Sequence, residues 1–346
     1  MRYVIHLLCI LLVIPLSADA LEITAPAVPP QGNTVMPENT ESFGDALLEL
    51  LQNALLQIRP DLEEACSASI AVFAAILLVS MLNSVTGSVK KITAISGTCM
   101  IGTVLILNSR SMIGLASETI YELVSYGKLL FPVMTAAMAA QGGITASAAL
   151  YAGTAAIDVL LSSLIVKVLV PMVYLYLVLA IGNSATGESL LKRIQDIIKS
   201  LISWGLKTLV TIYTTYMSIT GVVSGTTDAA ALKAAKVTIS SFVPVVGGIL
   251  SDASESILVS AAVMKNAAGI YGILAILALF LEPFLKIAVQ DLILKATSAL
   301  CSVIGTKELT GFVEDFGTAM GLLLAMTGCV CLLLLISVIC FLKGVG

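Results

Sequence analysis

The chain has 346 residues, of which 58% are hydrophobic and only 12% are charged, whereas about 25% of the residues in a soluble domain carry a charge. This composition predicts an all-α polytopic membrane protein, because a chain in lipid must satisfy its backbone hydrogen bonds within helices. The net charge of −4 comes without a basic cluster, which argues against nucleic-acid binding. The single histidine, His6, lies in the predicted targeting segment, so histidine-based catalysis and zinc binding are excluded for the mature chain.

Two segments precede the predicted membrane domain. Residues 1–20 are expected to form a secretory signal peptide, because Arg2 precedes an apolar core and a small-x-small cleavage site ends the segment. An uncleaved first helix is the alternative. Residues 21–66 are then expected outside the cytoplasm, as a linker rich in Pro and Thr followed by an amphipathic helix.

The amphipathic helix is predicted over residues 42–58, where apolar residues recur at helical spacing until Arg59 and Pro60 stop the run. We expect this helix to pack on its own chain by default. Lying on the membrane surface and docking a partner protein are the alternatives. The candidate partner-docking residues are Leu47, Leu51 and Leu55.

Residues 67–346 are predicted to form a polytopic membrane domain with about six to eight transmembrane helices. In chain order, we expect apolar helices at 67–83, 92–108, 157–181, 203–223, 267–289 and 320–342, amphipathic connectors at 111–128 and 187–200, and polar sections at 226–240 and 290–315. The distribution of Lys and Arg favours about six full crossings plus two partial ones, and eight full crossings stay open.

Two segments rich in Pro, Gly and Ala interrupt this pattern, one around Pro132 and one around Pro244. An uninterrupted lipid-facing helix disfavours such residues, so these segments are expected to be broken, re-entrant or buried among other helices. Pro132 and Pro244 are 112 residues apart, as are Pro171 and Pro283. This spacing favours a weak internal duplication with repeats at 92–181 and 204–293, and coincidence in a chain of membrane composition is the alternative.

No motif in the sequence points to catalysis. Walker A, Gly-x-Ser-x-Gly and His-Glu-x-x-His patterns do not occur, and the seven cysteines include no Cys-x-x-Cys pair. We therefore predict that the protein is not an enzyme and has no catalytic, cofactor-binding or metal-binding residues. The cysteines are expected to serve as small apolar residues.

Ionisable residues inside apolar segments, together with the interrupting prolines and glycines, are the candidate path or gating residues. A charge at membrane depth is costly, so it faces a cavity, pairs with another charge or extends towards the lipid headgroups. The candidates are Pro132, Asp158, Lys167, Pro244, Gly247, Gly248, Asp252, Glu255 and Glu282.

Several local stretches resemble a known protein family. They are Gly182-Asn183-Ser184 followed by Leu190-Leu191-Lys192, the run Trp204-Gly205-Leu206-Lys207-Thr208, and Phe242-Val243-Pro244-Val245-Val246-Gly247-Gly248 with Ser251-Asp252-Ala253. Together with the signal peptide and the N-terminal helix, these stretches are similar to the stage III sporulation protein AE family of endospore-forming bacteria. The resemblance covers essentially the whole mature chain, and it lies in layout and local stretches.

The resemblance implies a role in endospore formation, in the mother-cell membrane that surrounds the engulfed forespore. It implies a channel or feeding complex with other membrane and ring-forming proteins, with a cytoplasmic ATPase-like partner and with a forespore membrane protein. The family has no assigned catalytic residues to carry over. Two alternatives to this non-enzymatic subunit stay open, namely a self-sufficient secondary transporter and a structural membrane anchor for ring-forming partners.

Overall fold

The computed structural model of the chain describes residues 25–37, 43–85, 90–140, 144–219, 247–304 and 307–343. The helices in these ranges are α1 (Pro30–Asn33), α2 (Phe43–Gln57), α3 (Arg59–Val85), α4 (Lys90–Ala140), α5 (Ile144–Leu164), a π-helical turn (Ile165–Leu169), α6 (Val170–Thr186), α7 (Ser189–Ile219), α8 (Gly247–Ile304) and α9 (Lys307–Lys343). The described ranges contain no β-strand, and the predicted all-α class is confirmed. The predicted signal peptide and Pro244 lie outside these ranges.

Five stretches within the described ranges are long and apolar enough to cross a membrane. They are Arg59–Leu82, Ile95–Ala140, Ile165–Thr186, Ala267–Val303 and Glu308–Leu342. Each exceeds or approaches the roughly 20 residues that a helix needs to span the hydrocarbon core. The polytopic membrane architecture is therefore confirmed, and the predicted crossing at 203–223 extends beyond the described residues.

The antiparallel helices α8 and α9 form the centre of the bundle. Among the five apolar helices α9 is the most buried, because residues 316–342 carry no charge and both α8 and α4 pack against it. Phe341 of α9 stacks on Phe131 of α4 with ring centroids 5.7 Å apart. Between helices in lipid, such contacts stabilise the bundle through van der Waals packing.

The helix α4 passes through Pro132 without a break, contrary to the expected interruption. Proline removes one backbone hydrogen bond, but Phe131 and Met134 next to it are buried against neighbouring helices. The Thr135 hydroxyl also donates a 2.6 Å hydrogen bond to the Phe131 carbonyl. Packing therefore holds the helix together, and α4 ends only at Ala140.

Three other predicted boundaries disappear because neighbouring segments join into longer helices. The expected connector at 111–128 lies inside the 51-residue α4. The expected connector at 187–200 and the start of the next crossing form the single 31-residue α7. The last helix begins at Lys307, so it includes part of the section that we expected to be polar and non-spanning.

The N-terminal part of the chain packs on the membrane helices. Pro60 lies in the first turn of α3, a position where proline is tolerated because its missing N–H has no partner in a helix anyway. Ala46, Leu50 and Ala54 of α2 are buried against α8 residues Leu274 and Ala278. The expectation that the amphipathic helix packs on its own chain is confirmed.

Candidate functional site

The candidate path residues of the first predicted repeat, 92–181, lie on three consecutive elements. Pro132 is exposed on α4, and Lys167 is exposed on the π-helical turn. Asp158 belongs to α5 by its backbone, and its side chain lies outside the described residues. A π-helical turn inside an otherwise α-helical segment is often found at functional sites, so Lys167 stays a candidate.

The second Pro/Gly segment is described only in part. The helix α8 begins at Gly247 and Gly248. Asp252 and Glu255 lie on its first turns by their backbone, and their side chains lie outside the described residues. The structure therefore leaves the proposed role of these residues as a prediction.

Glu282 is the predicted site residue whose surroundings the structure describes best. Its Oε1 lies 3.0 Å from Nζ of Lys286, one turn further along α8. The same Nζ lies 3.3 Å from Oδ2 of Asp61, at the start of α3. The side chains of Glu282 and Lys286 are 18% and 24% exposed. Lys286 thus serves two carboxylates, and the group ties α3 to α8.

A cleft of about 450 Å³ adjoins this ion-paired group. We call it the α3–α4–α8 cleft, and its polar lining consists of Asp61, Glu64, Asn108, Ser111, Lys286 and Gln290. Polar side chains of both charges can solvate a small polar or charged solute inside an otherwise apolar bundle. Among the described residues, no group of three or more His, Cys, Asp or Glu side chains is placed to hold a metal ion.

A second cleft, of about 440 Å³, lies between α6, α7 and α9. We call it the α6–α7–α9 cleft. Nζ of Lys192 lies 3.0 Å from Oδ1 of Asp315 and 3.7 Å from Oδ1 of Asp196. The Tyr176 hydroxyl donates a 3.1 Å hydrogen bond to the same Asp315 oxygen. The ion pair between Lys192 and Asp315 fixes the charged start of α7 against α9.

Sequence reasoning missed this second cleft because its residues were assigned to separate surface segments. Asp315 was placed in a polar section before the last helix, and Lys192 was placed on an interfacial helix. One signal was present in the sequence. Asp315 lies directly before the charge-free run 316–342, and its helical phase relative to that run would have placed it on α9.

The comparison with known proteins connects this architecture to a family. The sequence model that describes stage III sporulation protein AE matches residues 35–344, which include both clefts and all five apolar helices.

The chain belongs to the stage III sporulation protein AE family. A curated relative, the stage III sporulation protein AE of Bacillus subtilis (strain 168), is 24% identical over 231 residues, which cover 66% of this chain and 58% of the relative. The match thus spans less than two thirds of the relative's length. No solved structure matches the chain.

In this member of the stage III sporulation protein AE family, one of the resembling stretches lies at the α6–α7–α9 cleft and a second lies beyond it. Asn183 and Ser184 line it from the end of α6, and the run from Trp204 to Thr208 lies further along α7. The turn between α6 and α7 lies at Gly187. This residue ends α6 and has a left-handed backbone conformation with a φ of 72°. Glycine adopts this conformation without the steric cost that other residues carry.

Proposed function

We propose that this chain is a non-enzymatic, multi-pass membrane subunit of a channel complex that connects mother cell and forespore and is needed for endospore development. The observation that carries the proposal is the family match over residues 35–344. The protein resides in the mother-cell membrane around the forespore, with its N-terminal segment outside the cytoplasm after signal cleavage. Its partners are the other membrane and ring-forming proteins of the complex and an ATPase-like cytoplasmic protein.

Two features of the bundle support a transport role. The five apolar helices supply a membrane-spanning body. A polar cleft of about 450 Å³ lies between three of those helices, and another of about 440 Å³ lies between two of them and α7. Ionisable residues placed between membrane helices are typical of pathways for solutes or ions.

The experiment is gene replacement in a spore-forming host. A strain that lacks its own stage III AE protein receives this chain with a fluorescent tag, and heat-resistant spores are counted. We expect the chain to restore spores by orders of magnitude over the empty strain and to localise at the engulfing membrane. Spore counts no higher than those of the empty strain, or fluorescence confined to another compartment, would contradict the proposal.

A self-sufficient secondary transporter is the second candidate, and the ion-paired group around Lys286 favours it. In a transporter, Glu282→Gln or Asp252→Asn abolishes function while the protein still assembles with its partners. In a channel subunit, no transport occurs with this chain alone. Measuring uptake into liposomes that contain only this chain separates the two.

A structural anchor is the third candidate, and the outer face of α2 favours it. Leu51 and Leu55 are exposed there, whereas Leu47 is half-buried. If α2 docks ring-forming partners, Leu51→Ser and Leu55→Ser release those partners in co-purification, and Glu282→Gln is tolerated. Retention of every partner by both leucine variants would exclude this docking role.

A further inference from the structure

The helix α7 has three chemically different faces. Successive residues of a helix are rotated by about 100°, so residues three, four and seven apart share a face. One face is buried in the bundle and contains Ile198, Ile202, Leu206, Leu209 and Tyr213. A second face is exposed and apolar, with Leu190, Ile194, Ile197, Leu201 and Trp204. The third face is polar, with Lys192, Asp196, Lys199, Ser203 and Lys207.

This helix lies lengthwise along two apolar helices. A Cβ added to Gly182 of α6 would lie 3.2 Å from Cδ1 of Leu191, and one added to Gly205 would lie 3.7 Å from Cδ2 of Leu169 in the π-helical turn. The two contacts bracket the apolar stretch Ile165–Thr186. Therefore α7 runs antiparallel to that stretch over nearly its full length.

The contacts of α7 with α9 set the depth of its polar face. Lys192 pairs with Asp315, and the Tyr213 hydroxyl hydrogen-bonds to the Ser337 hydroxyl. Between these contacts α7 rises by roughly 32 Å at about 1.5 Å per residue, close to the thickness of a hydrocarbon core of about 30 Å. The corresponding part of α9 belongs to the charge-free run 316–342. Although α7 is not among the five apolar stretches of the described residues, these contacts place its polar face alongside the charge-free part of α9.

Two lysines on this face form no ion pair with the residues that the structure describes, and one of them, Lys199, lines the α6–α7–α9 cleft with acidic side chains. Lys192 is neutralised by Asp315 and Asp196, but the ion pairs within the described ranges include neither Lys199 nor Lys207. Both side chains are exposed. Lys207 lies about 22 Å along the helix from Lys192, at about 1.5 Å per residue. An ammonium group at that depth is costly against lipid and needs water or a partner.

We propose that the polar face of α7 lines an aqueous path through the membrane, that the α6–α7–α9 cleft is one mouth of this path, and that Lys199 and Lys207 make it select small anions. The inference rests on the proposed channel function and names the helix that carries it. Lysine side chains along a pore attract anions and repel cations. Glu308, Glu314 and Lys199 line the mouth, where bulk water and salt screen their charges over about 8 Å, and Lys207 lies deeper along α7.

The arrangement also explains why α7 has two exposed faces, one apolar and one polar. The apolar face from Leu190 to Trp204 adjoins the apolar outer surface of α6, where Leu175 and Val178 are exposed, so lipid covers both. Around α7, the buried face lies between the apolar face and the polar face, and the polar face adjoins α9. A helix that separates lipid from water within a membrane needs this division into three faces.

Cysteine accessibility tests the path. Single cysteines replace Ser203, Lys207, Ile197, Trp204 and Ile202 in a full-length chain that has no other cysteine, in membranes of sporulating cells. Ile197 and Trp204 report the lipid face, and Ile202 reports the buried face. Charged, membrane-impermeant thiosulfonate reagents are applied, and the reaction rate is measured at each position. We expect Ser203→Cys and Lys207→Cys to react and the three control positions to stay unreactive.

The charge preference is read at the same position. Each rate is expressed relative to the rate of the same reagent with a free thiol in solution. On this scale, an anionic reagent is expected to modify Ser203→Cys about tenfold faster than a cationic one, because nearby lysines concentrate anions. Adding Lys207→Glu should reverse this order, and Lys207→Gln should remove most of it. A cationic reagent that reacts faster in the parent would overturn the anion selectivity.

Three outcomes would overturn the path itself. If Ser203→Cys and Lys207→Cys react no faster than Ile202→Cys, protein covers the polar face. If Ile197→Cys and Trp204→Cys react as fast as Lys207→Cys, α7 lies outside the bilayer. If the lipid-face positions alone react, the faces are assigned wrongly. The labelling rates do not depend on spore counts, so failure of the path and failure of the channel function are read separately.

Discussion

Lys286 is the residue on which the contact between α3 and α8 depends most. Its ammonium lies 3.0 Å from Glu282 on its own helix and 3.3 Å from Asp61 on α3. The side chains of Asp61, Lys286 and Glu282 are 34%, 24% and 18% exposed. Because all three are largely shielded from water, each carboxylate relies on the Lys286 cation. Removing one partner of such a pair leaves an uncompensated charge, which costs more than removing both.

Lys286→Met should therefore lower the free energy of unfolding by about 1–2 kcal/mol. This value is smaller than for a fully buried ion pair, because the three side chains are partly exposed to water. The double variant with Glu282→Gln should recover part of this loss, because the charge of Glu282 is removed and only that of Asp61 stays without its cation. Thermal unfolding of the protein purified in detergent measures both. Lys128→Met is the control, since Lys128 is exposed and forms no ion pair among the described residues. An equal loss in the single and the double variant would contradict the pairing.

Sequence reasoning identified Glu282 but not its partners, for a physical reason. An acid inside an apolar run stands out in one dimension, whereas its pairing with Asp61 depends on how α3 and α8 pack. The same holds for Asp315, Lys192 and Tyr176, which come from three helices. Candidate charges could thus be predicted from the sequence, and their partners could not.

The helices themselves are longer than their apolar segments. Hydropathy divided α4 at Arg110 and near Pro132, yet the chain stays helical from Lys90 to Ala140. Charged residues such as Glu118 do not end a helix when neighbours cover its other face. Gln31 donates a 3.1 Å hydrogen bond to Glu118 from the N-terminal segment. Type and order of the helices were predictable from the sequence, and their ends were not.

The packing of α3 on α4 depends on a small residue at position 97. A Cβ added to Gly97 would lie 2.5 Å from Cγ2 and 3.2 Å from Cβ of Val79, and valine is stiff at χ1. Gly97→Ala should therefore destabilise the protein by about 1–3 kcal/mol through overpacking.

Gly114→Ala on the same helix is the matched control, because nothing lies within 4 Å of its added Cβ. Alanine there should be neutral or stabilising by up to about 1 kcal/mol. Thermal unfolding in detergent compares the two variants. Equal midpoints for both would show that α3 and α4 do not meet at Gly97.

The helix α2 offers a second matched pair of substitutions. Leu50 is fully buried against α8, whereas Leu55 is 58% exposed. Leu50→Ala should cost about 2–5 kcal/mol, as for other buried leucines, and Leu55→Ala should stay within about 0.5 kcal/mol in the isolated protein. A larger loss of stability for Leu55→Ala than for Leu50→Ala would indicate that α2 packs on α8 through its opposite face.

At the scale of the whole molecule, composition alone predicted an all-α polytopic membrane protein, because 58% hydrophobic and 12% charged residues leave few alternatives. Local stretches also led to the family, which the match over residues 35–344 confirms. The placement of α7 beside α6 and α9 could not be predicted from its amphipathic pattern, since it depends on contacts between distant segments. The internal duplication stays a prediction.

The central claim is that this chain lets small solutes pass between mother cell and forespore. The most direct measurement follows a small anionic fluorescent tracer from the mother cell into the forespore, in a strain that lacks its own stage III AE protein. With the chain supplied, the tracer should enter the forespore, and with the Lys199→Glu/Lys207→Glu variant its entry should slow severalfold. Equal entry with and without the chain would contradict the account.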